Sequence, residues 1–192
     1  MTQTNPSSPV NPVDHPAHTS SSSNHTTLRL AGVIRESIVD GPGYRLVVFA
    51  QGCPHHCPGC QNPDTHSFSG GYESDVGRIM QAVQKNPLLS GVTFSGGEPF
   101  CQPEAFLELA RAVHATGLNV MCYTGYTFEQ LCAGRAEHPA WEPLLKEIDI
   151  LVDGPFVLAE KSLALRFRGS KNQRIIDPVQ SLLQNKIVEI DL

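Results

Sequence analysis

The chemistry this chain can do is concentrated in the run Gly52-Cys53-Pro54-His55-His56-Cys57-Pro58-Gly59-Cys60-Gln61-Asn62, which carries cysteines at a C-x3-C-x2-C spacing. Thiolates this close in sequence converge on one soft metal centre without help from distant parts of the fold. A closed structural zinc site takes four protein ligands, and a [4Fe–4S] cluster bound only by thiolate takes four cysteines. A cubane held by Cys53, Cys57 and Cys60 therefore keeps one iron for a group that is not protein. Pro54 and Pro58 fix φ and cut the loop's freedom before metal arrives, and Gly59 permits a tight turn between the second and third thiolates. On the loop alone three readings stand: a cluster, a zinc ion completed by His55, His56 or His66, and a group of redox thiols.

These residues need a scaffold, and the hydrophobic pattern supplies one. Tyr44–Ala50 is a nearly unbroken apolar run, as expected of a strand buried on both faces in a parallel sheet, and the cysteine loop follows it directly. Leu30–Ile38 reads as a short strand leading into the turn Val39-Asp40-Gly41-Pro42-Gly43. Val76, Ile79, Met80 and Val83 share one helical face, and Asn86-Pro87 closes that helix. Val92–Phe94 is a further strand, followed by Ser95-Gly96-Gly97-Glu98-Pro99. A second helix opens at Pro103, places Phe106, Leu109, Ala110 and Val113 on one side, and ends at Gly117. Leu118–Tyr123 is a strand, Thr127-x-x-Gln130 a capping box for a third helix, and residues 141–147 are helical. Ile148–Val152 is the fourth of the alternating strands and ends in Asp153-Gly154-Pro155-Phe156. Asn172–Ile176 is a fifth, with a short helix and strand after it. Strands alternating with helices predict a parallel sheet. A closed eight-fold barrel takes about 250 residues, so the expected fold is α/β, an incomplete, open β/α barrel over residues 28–192.

Parallel strands put their C-terminal ends on one rim. The cysteine loop, the Gly96-Gly97-Glu98-Pro99 turn, Tyr123-Thr124-Gly125 and Asp153 should therefore face one cleft. Two adjacent glycines let backbone approach a ligand and expose N–H groups, and Glu98 can accept hydrogen bonds from an ammonium group. Thr124 and Asp153 are placed either to touch a ligand or to cap strand ends.

Composition narrows the class. The net charge is −5 and no stretch is a Lys/Arg run, which argues against nucleic acid or an anionic membrane as the main partner. No apolar run approaches a membrane span. Of the six cysteines, Cys101, Cys122 and Cys132 are scattered and form no disulfide framework, which points to a reducing cytoplasm. Residues 1–27 are rich in Ser, Thr, Pro, Asn and His with Asp14 the only charged side chain; they are expected to be a disordered tail, neither a secretory signal nor a transit peptide.

A cysteine triad followed by Gly-Gly-Glu-Pro resembles the radical S-adenosylmethionine superfamily. The Asp40–Gly43 turn, the cysteine run itself, Tyr123-Thr124-Gly125-Tyr126-Thr127, Val152-Asp153-Gly154-Pro155-Phe156 and Arg168-Gly169-Ser170-Lys171-Asn172-Gln173 narrow this to the activases of glycyl-radical enzymes, in particular those acting on anaerobic ribonucleoside-triphosphate reductase. The resemblance implies that Cys53, Cys57 and Cys60 hold a [4Fe–4S] cluster whose free iron chelates S-adenosylmethionine. It implies that Gly96, Gly97 and Glu98 line the methionine part, and that Gly59, Cys60 and Gln61 lie against the cofactor. Many superfamily members carry an aromatic residue where this chain has Gly59. The implied activity is reductive cleavage to methionine and a 5′-deoxyadenosyl radical, which takes a hydrogen atom from a glycine of the reductase. No general acid or base is required, so no catalytic side chain is named. A flavodoxin is the implied electron donor, and the basic stretch Arg166–Arg174 is a candidate docking face. Two other readings are a radical enzyme acting on a small molecule, of the 7-carboxy-7-deazaguanine synthase kind, and a non-catalytic metal-binding or electron-transfer module.

Overall fold

The computed structural model describes residues 26–192. A single sheet runs through them, built from β1 (Thr27–Ser37), β2 (Tyr44–Ala50), β3 (Tyr72–Asp75), β4 (Leu89–Gly96), β5 (Asn119–Tyr123), β6 (Ile150–Asp153) and β7 (Arg174–Ile176). The strand order is β3-β1-β2-β4-β5-β6-β7, so the sheet is open and does not close on itself. The helices are α1 (Val76–Gln84), α2 (Pro103–His114), α3 (Phe128–Gly134), α4 (Trp141–Lys146) and α5 (Pro178–Gln184).

The central strands β2, β4, β5 and β6 are parallel, as the alternation of strand and helix predicts. The margins differ from that expectation. β1 runs antiparallel to β2, β3 antiparallel to β1, and β7 antiparallel to β6. The connection from β1 to β2 covers only residues 38–43, too short for the crossover that a parallel neighbour requires. β3, sequence Tyr-Glu-Ser-Asp, has no buried residue. It is held by backbone pairing at an edge, so no apolar pattern marks it.

Side-chain alternation divides the sheet into two faces. Leu46, Val48, Val92, Phe94, Val120, Cys122 and Leu151 point to the helices and join Ile79, Val83, Phe106, Leu109 and Val113 in the main core. The opposite face carries a small cluster of Met121, Ile150, Val152 and Ile175. Arg45 is fully buried; its guanidinium donates to Thr93 Oγ1 (3.0 Å), Asn119 Oδ1 (2.5 Å) and the Val92 carbonyl (2.8 Å). Burial without a carboxylate partner pulls its pKa down to about 10. Thr93 Oγ1 in turn donates to the Asp40 carbonyl (2.8 Å), which lays the Asp40–Gly43 turn on this face.

The helices begin where local chemistry says they should. Thr127 and Gln130 form the expected reciprocal capping box on α3, and Asp75 caps α1 by accepting from Arg78 N–H at 2.9 Å. The expected tail of residues 1–27 lies outside the described residues except for Thr26 and Thr27, and β1 already begins at Thr27.

Candidate metal centre

The loops that leave the C-terminal ends of β2, β4 and β5, with the segment after β6, surround one cavity of about 470 Å³. That lies within the range of small-molecule sites, roughly 300–1,000 Å³. Cys53, Cys57, Cys60, Gln61, Gly96 and Gly97 line it together. The convergence expected from the strand order is therefore present, with Thr124, Gly125 and Gly154 also in the wall.

Backbone hydrogen bonds fasten two of these loops. Gly97 N–H donates to the Ala50 carbonyl and Glu98 N–H to the Gly52 carbonyl, each at 2.8 Å. The approach is possible only at glycine: a Cβ on Gly97 would overlap the Gly52 carbonyl oxygen, and one on Gly96, at φ +89°, would lie 2.7 Å from Phe49 Cα. Within the cysteine loop, Cys60 N–H donates to the Cys57 carbonyl (3.1 Å) and Asn62 N–H points at Cys60 Sγ (3.4 Å). His56 adopts φ +46° and Gly59 φ +72° to make the turns between thiols.

Two residues expected at the ligand are not in the cavity wall. Gly59 is not in the cavity wall; it backs onto Leu158, whose Cδ1 would stand 2.9 Å from any Cβ at that position. Glu98 is fully buried and its carboxylate is saturated by protein. It accepts from Phe100 N–H (3.0 Å), the Thr124 hydroxyl (3.0 Å to each oxygen), Gly125 N–H (2.9 Å) and His55 Nε2 (2.9 Å). Those four donors match roughly the four lone-pair positions that a carboxylate offers. Asp153 is likewise structural: it accepts from Phe128 N–H at 2.7 Å and pairs with Arg174, which also grips Glu129. Arg174 thereby leaves the basic docking face. Arg166 and Lys171 remain exposed, and Arg168 turns into the cavity wall.

Several features suit a thiolate-bound cluster. Three cysteines supply sulfur, the preferred ligand of iron–sulfur centres. Burial raises the Cys53 thiol pKa, partly offset by the backbone N–H of His55, so this thiol keeps its proton until a metal displaces it. Two buried polar atoms, His66 Nε2 and Arg168 Nε, lack a partner among the described residues, and both side chains line the cavity. Buried polar atoms in native structures are normally satisfied, so a polar group in the cavity would complete them. Among the described residues no three His, Cys, Asp or Glu side chains are gathered closely enough to hold a metal ion. A cubane does not need that, because its thiolates bind separate irons at separate corners.

Residues 39–176 match the family model described as a 4Fe-4S single cluster domain. The anaerobic ribonucleoside-triphosphate reductase-activating protein of Salmonella typhi is 34% identical over 144 residues, which cover 71% of this chain and 90% of that one. The chain belongs to this family of activating proteins. The pyruvate formate-lyase-activating enzyme of Clostridium pasteurianum is 32% identical over 65% of this chain and 50% of its own. Among solved structures, QueE from Escherichia coli aligns with a TM-score of 0.44 at 16% identity, over 59% of this chain and 58% of that one, too distant to carry a point of topology. No described helix is long and apolar enough to cross a membrane.

Sequence reasoning missed the wall contributed from beyond β6. Phe156, Leu165, Phe167, Arg168 and Gln173 all line the cavity. The Arg168–Gln173 run was legible as a motif, but nothing local shows that it folds back over thiols a hundred residues away.

Proposed function

We propose that this chain activates an anaerobic ribonucleoside-triphosphate reductase by generating a glycyl radical on it. The observation that carries the reading is the convergence of the three thiols with the paired glycines on one cavity, in a chain of the activating-protein family. Cys53, Cys57 and Cys60 hold a [4Fe–4S] cluster, and Gly96 and Gly97 present backbone to the methionine part of S-adenosylmethionine, with Gln61 beside it. A reduced cluster held by these thiolates would supply the single electron for reductive cleavage of S-adenosylmethionine to methionine and 5′-deoxyadenosine, the hydrogen atom coming from the glycine of the reductase. The protein's work is then position and exclusion of water rather than proton transfer. Glu98 serves by organising the loops, and Gly59 by letting the cysteine loop pack on Leu158.

The open sheet is read as an incomplete β/α barrel with its cluster at the C-terminal rim. The cavity is open to solvent, leaving its mouth to be closed by the glycine-bearing segment of the reductase. Arg166 and Lys171 stand ready to contact that partner. A flavodoxin-type donor in a reducing cytoplasm completes the reading.

The test is anaerobic reconstitution with iron and sulfide, followed by reductant and S-adenosylmethionine. The expected result is 5′-deoxyadenosine, plus a glycyl-radical EPR signal when the reductase is added. Cys57→Ala should abolish both. Cofactor cleavage without a radical on the reductase would favour a small-molecule substrate, and a colourless protein holding one zinc would refute the cluster.

A further inference from the structure

His55 takes no part in the chemistry described so far, yet its side chain is anchored outside the cysteine loop. Its Nε2 lies 2.9 Å from Glu98 Oε2. The ring meets Tyr126 edge-on, with centroids 4.5 Å apart. It also fills the space above Gly125, where any Cβ would overlap the imidazole. Facing an acceptor that already receives Gly125 N–H and the Thr124 hydroxyl, Nε2 is the donor.

What this contact ties together matters. Among the described residues, the His55–Glu98 bond is the only hydrogen bond joining residues 54–59 to another segment. Cys57 lies within that span. The bonds from Gly97 and Glu98 N–H reach only Ala50 and Gly52, at the loop's start. Cys53 N–H bonds the His66 carbonyl at 3.1 Å. Otherwise, among the described residues, the span has only van der Waals and ring contacts outside itself, Gly59 against Leu158 and His56 edge-on to His66 at 5.1 Å. The carboxylate at the far end of the bond belongs to the Gly-Gly-Glu-Pro turn and is shared with the loop after β5.

We propose that His55 is a positioning residue: through Glu98 it locks the cysteine loop to the glycine wall and to the Thr124–Tyr126 loop, fixing the separation between the thiols and the methionine-binding backbone before cluster and cofactor arrive. This deepens the functional reading above and rests on it. The bond is charge-assisted on the acceptor side and buried, the setting in which one hydrogen bond has most effect.

The test compares wild type with His55→Leu, which keeps bulk and loses the donor, and His55→Gln, whose terminal amide nitrogen reaches about as far from Cα as Nε2. In metal-free protein, hydrogen exchange of peptides spanning 53–60 and 124–126 should quicken with Leu and stay near wild type with Gln. In reconstituted protein, matched for iron and sulfide, Leu should weaken S-adenosylmethionine binding about tenfold. It should also reduce the change that S-adenosylmethionine makes in the EPR spectrum of the reduced cluster, and Gln should restore both to within about threefold. A Leu variant that exchanges and binds as wild type does would overturn the proposal, as would a Gln variant no better than Leu. If Leu does not load a cluster, the metal-free exchange data decide alone. If wild type itself binds no S-adenosylmethionine, the functional reading fails while the exchange comparison still judges the brace.

Discussion

Replacing Glu98 by Gln separates a ligand role from a structural one, because the two predict opposite signatures. The swap keeps shape and volume and turns one acceptor oxygen into an N–H donor. Oε1 accepts from Phe100 N–H and Oε2 from Gly125 N–H, and these backbone donors cannot turn away. The Thr124 hydroxyl can rotate and His55 can change tautomer, so those two contacts are recoverable. Whichever way the amide is seated, one backbone N–H faces an NH₂ group and loses its acceptor. An unsatisfied buried donor costs about 1–3 kcal/mol, and the lost charge assistance at the surviving bonds adds about 1 kcal/mol. Glu98→Gln should therefore lower unfolding free energy by about 2–4 kcal/mol, read from the urea midpoint of metal-free protein at unchanged slope. Were Glu98 instead a contact for the cofactor's ammonium, stability would stay within about 0.5 kcal/mol of wild type while S-adenosylmethionine binding fell. That second pattern would refute the account of Glu98 as the junction of the site's loops.

Gly97→Ala should push the Gly-Gly-Glu-Pro turn off the cysteine loop, since the new Cβ would overlap the Gly52 carbonyl. Poorer iron retention after reconstitution, with a stability loss of about 1–3 kcal/mol, is the expected outcome in gel filtration and denaturation. Asp153→Asn removes the charge that Arg174 and the start of α3 share. Asp153 is buried but Arg174 is partly exposed and keeps Glu129, so the loss should be about 1–3 kcal/mol with cofactor affinity, by equilibrium dialysis, unchanged. His114 sits between Asp149 (2.9 Å) and Glu147 (3.1 Å); partial burial lowers its pKa, but the bonds to those carboxylates outweigh it and raise the pKa overall from 6.5. A raised pKa stabilises the fold fully below the unfolded value and the effect fades as pH climbs through the folded one. Urea titrations should thus show His114→Gln about 1 kcal/mol less stable than wild type at pH 5.5, with the gap narrowing by pH 8.5.

The parts of this fold that were legible in the sequence are those fixed by neighbours along the chain. Tyr44–Ala50 is strand because its run of buried side chains leaves no polar face, and Thr127 starts a helix because its own Gln130 completes the cap. β3 was not legible, being polar and held chiefly by backbone bonds to Thr27–Leu30. The site divides along the same line. The thiol spacing and the paired glycines report local stereochemistry, and they stand where the motifs put them. The purposes of Glu98, Asp153 and Arg174 do not follow from their own surroundings in sequence. His55 reaches Glu98 across 43 positions and Thr124 reaches it across 26, and either partner could have been absent without changing Gly-Gly-Glu-Pro. A charged side chain beside a glycine pair invites a ligand role, yet a fold that brings four loops to one cavity must also hold them in place. A buried carboxylate that several loops can donate to meets that need, and Glu98 stands behind the cavity wall rather than in it.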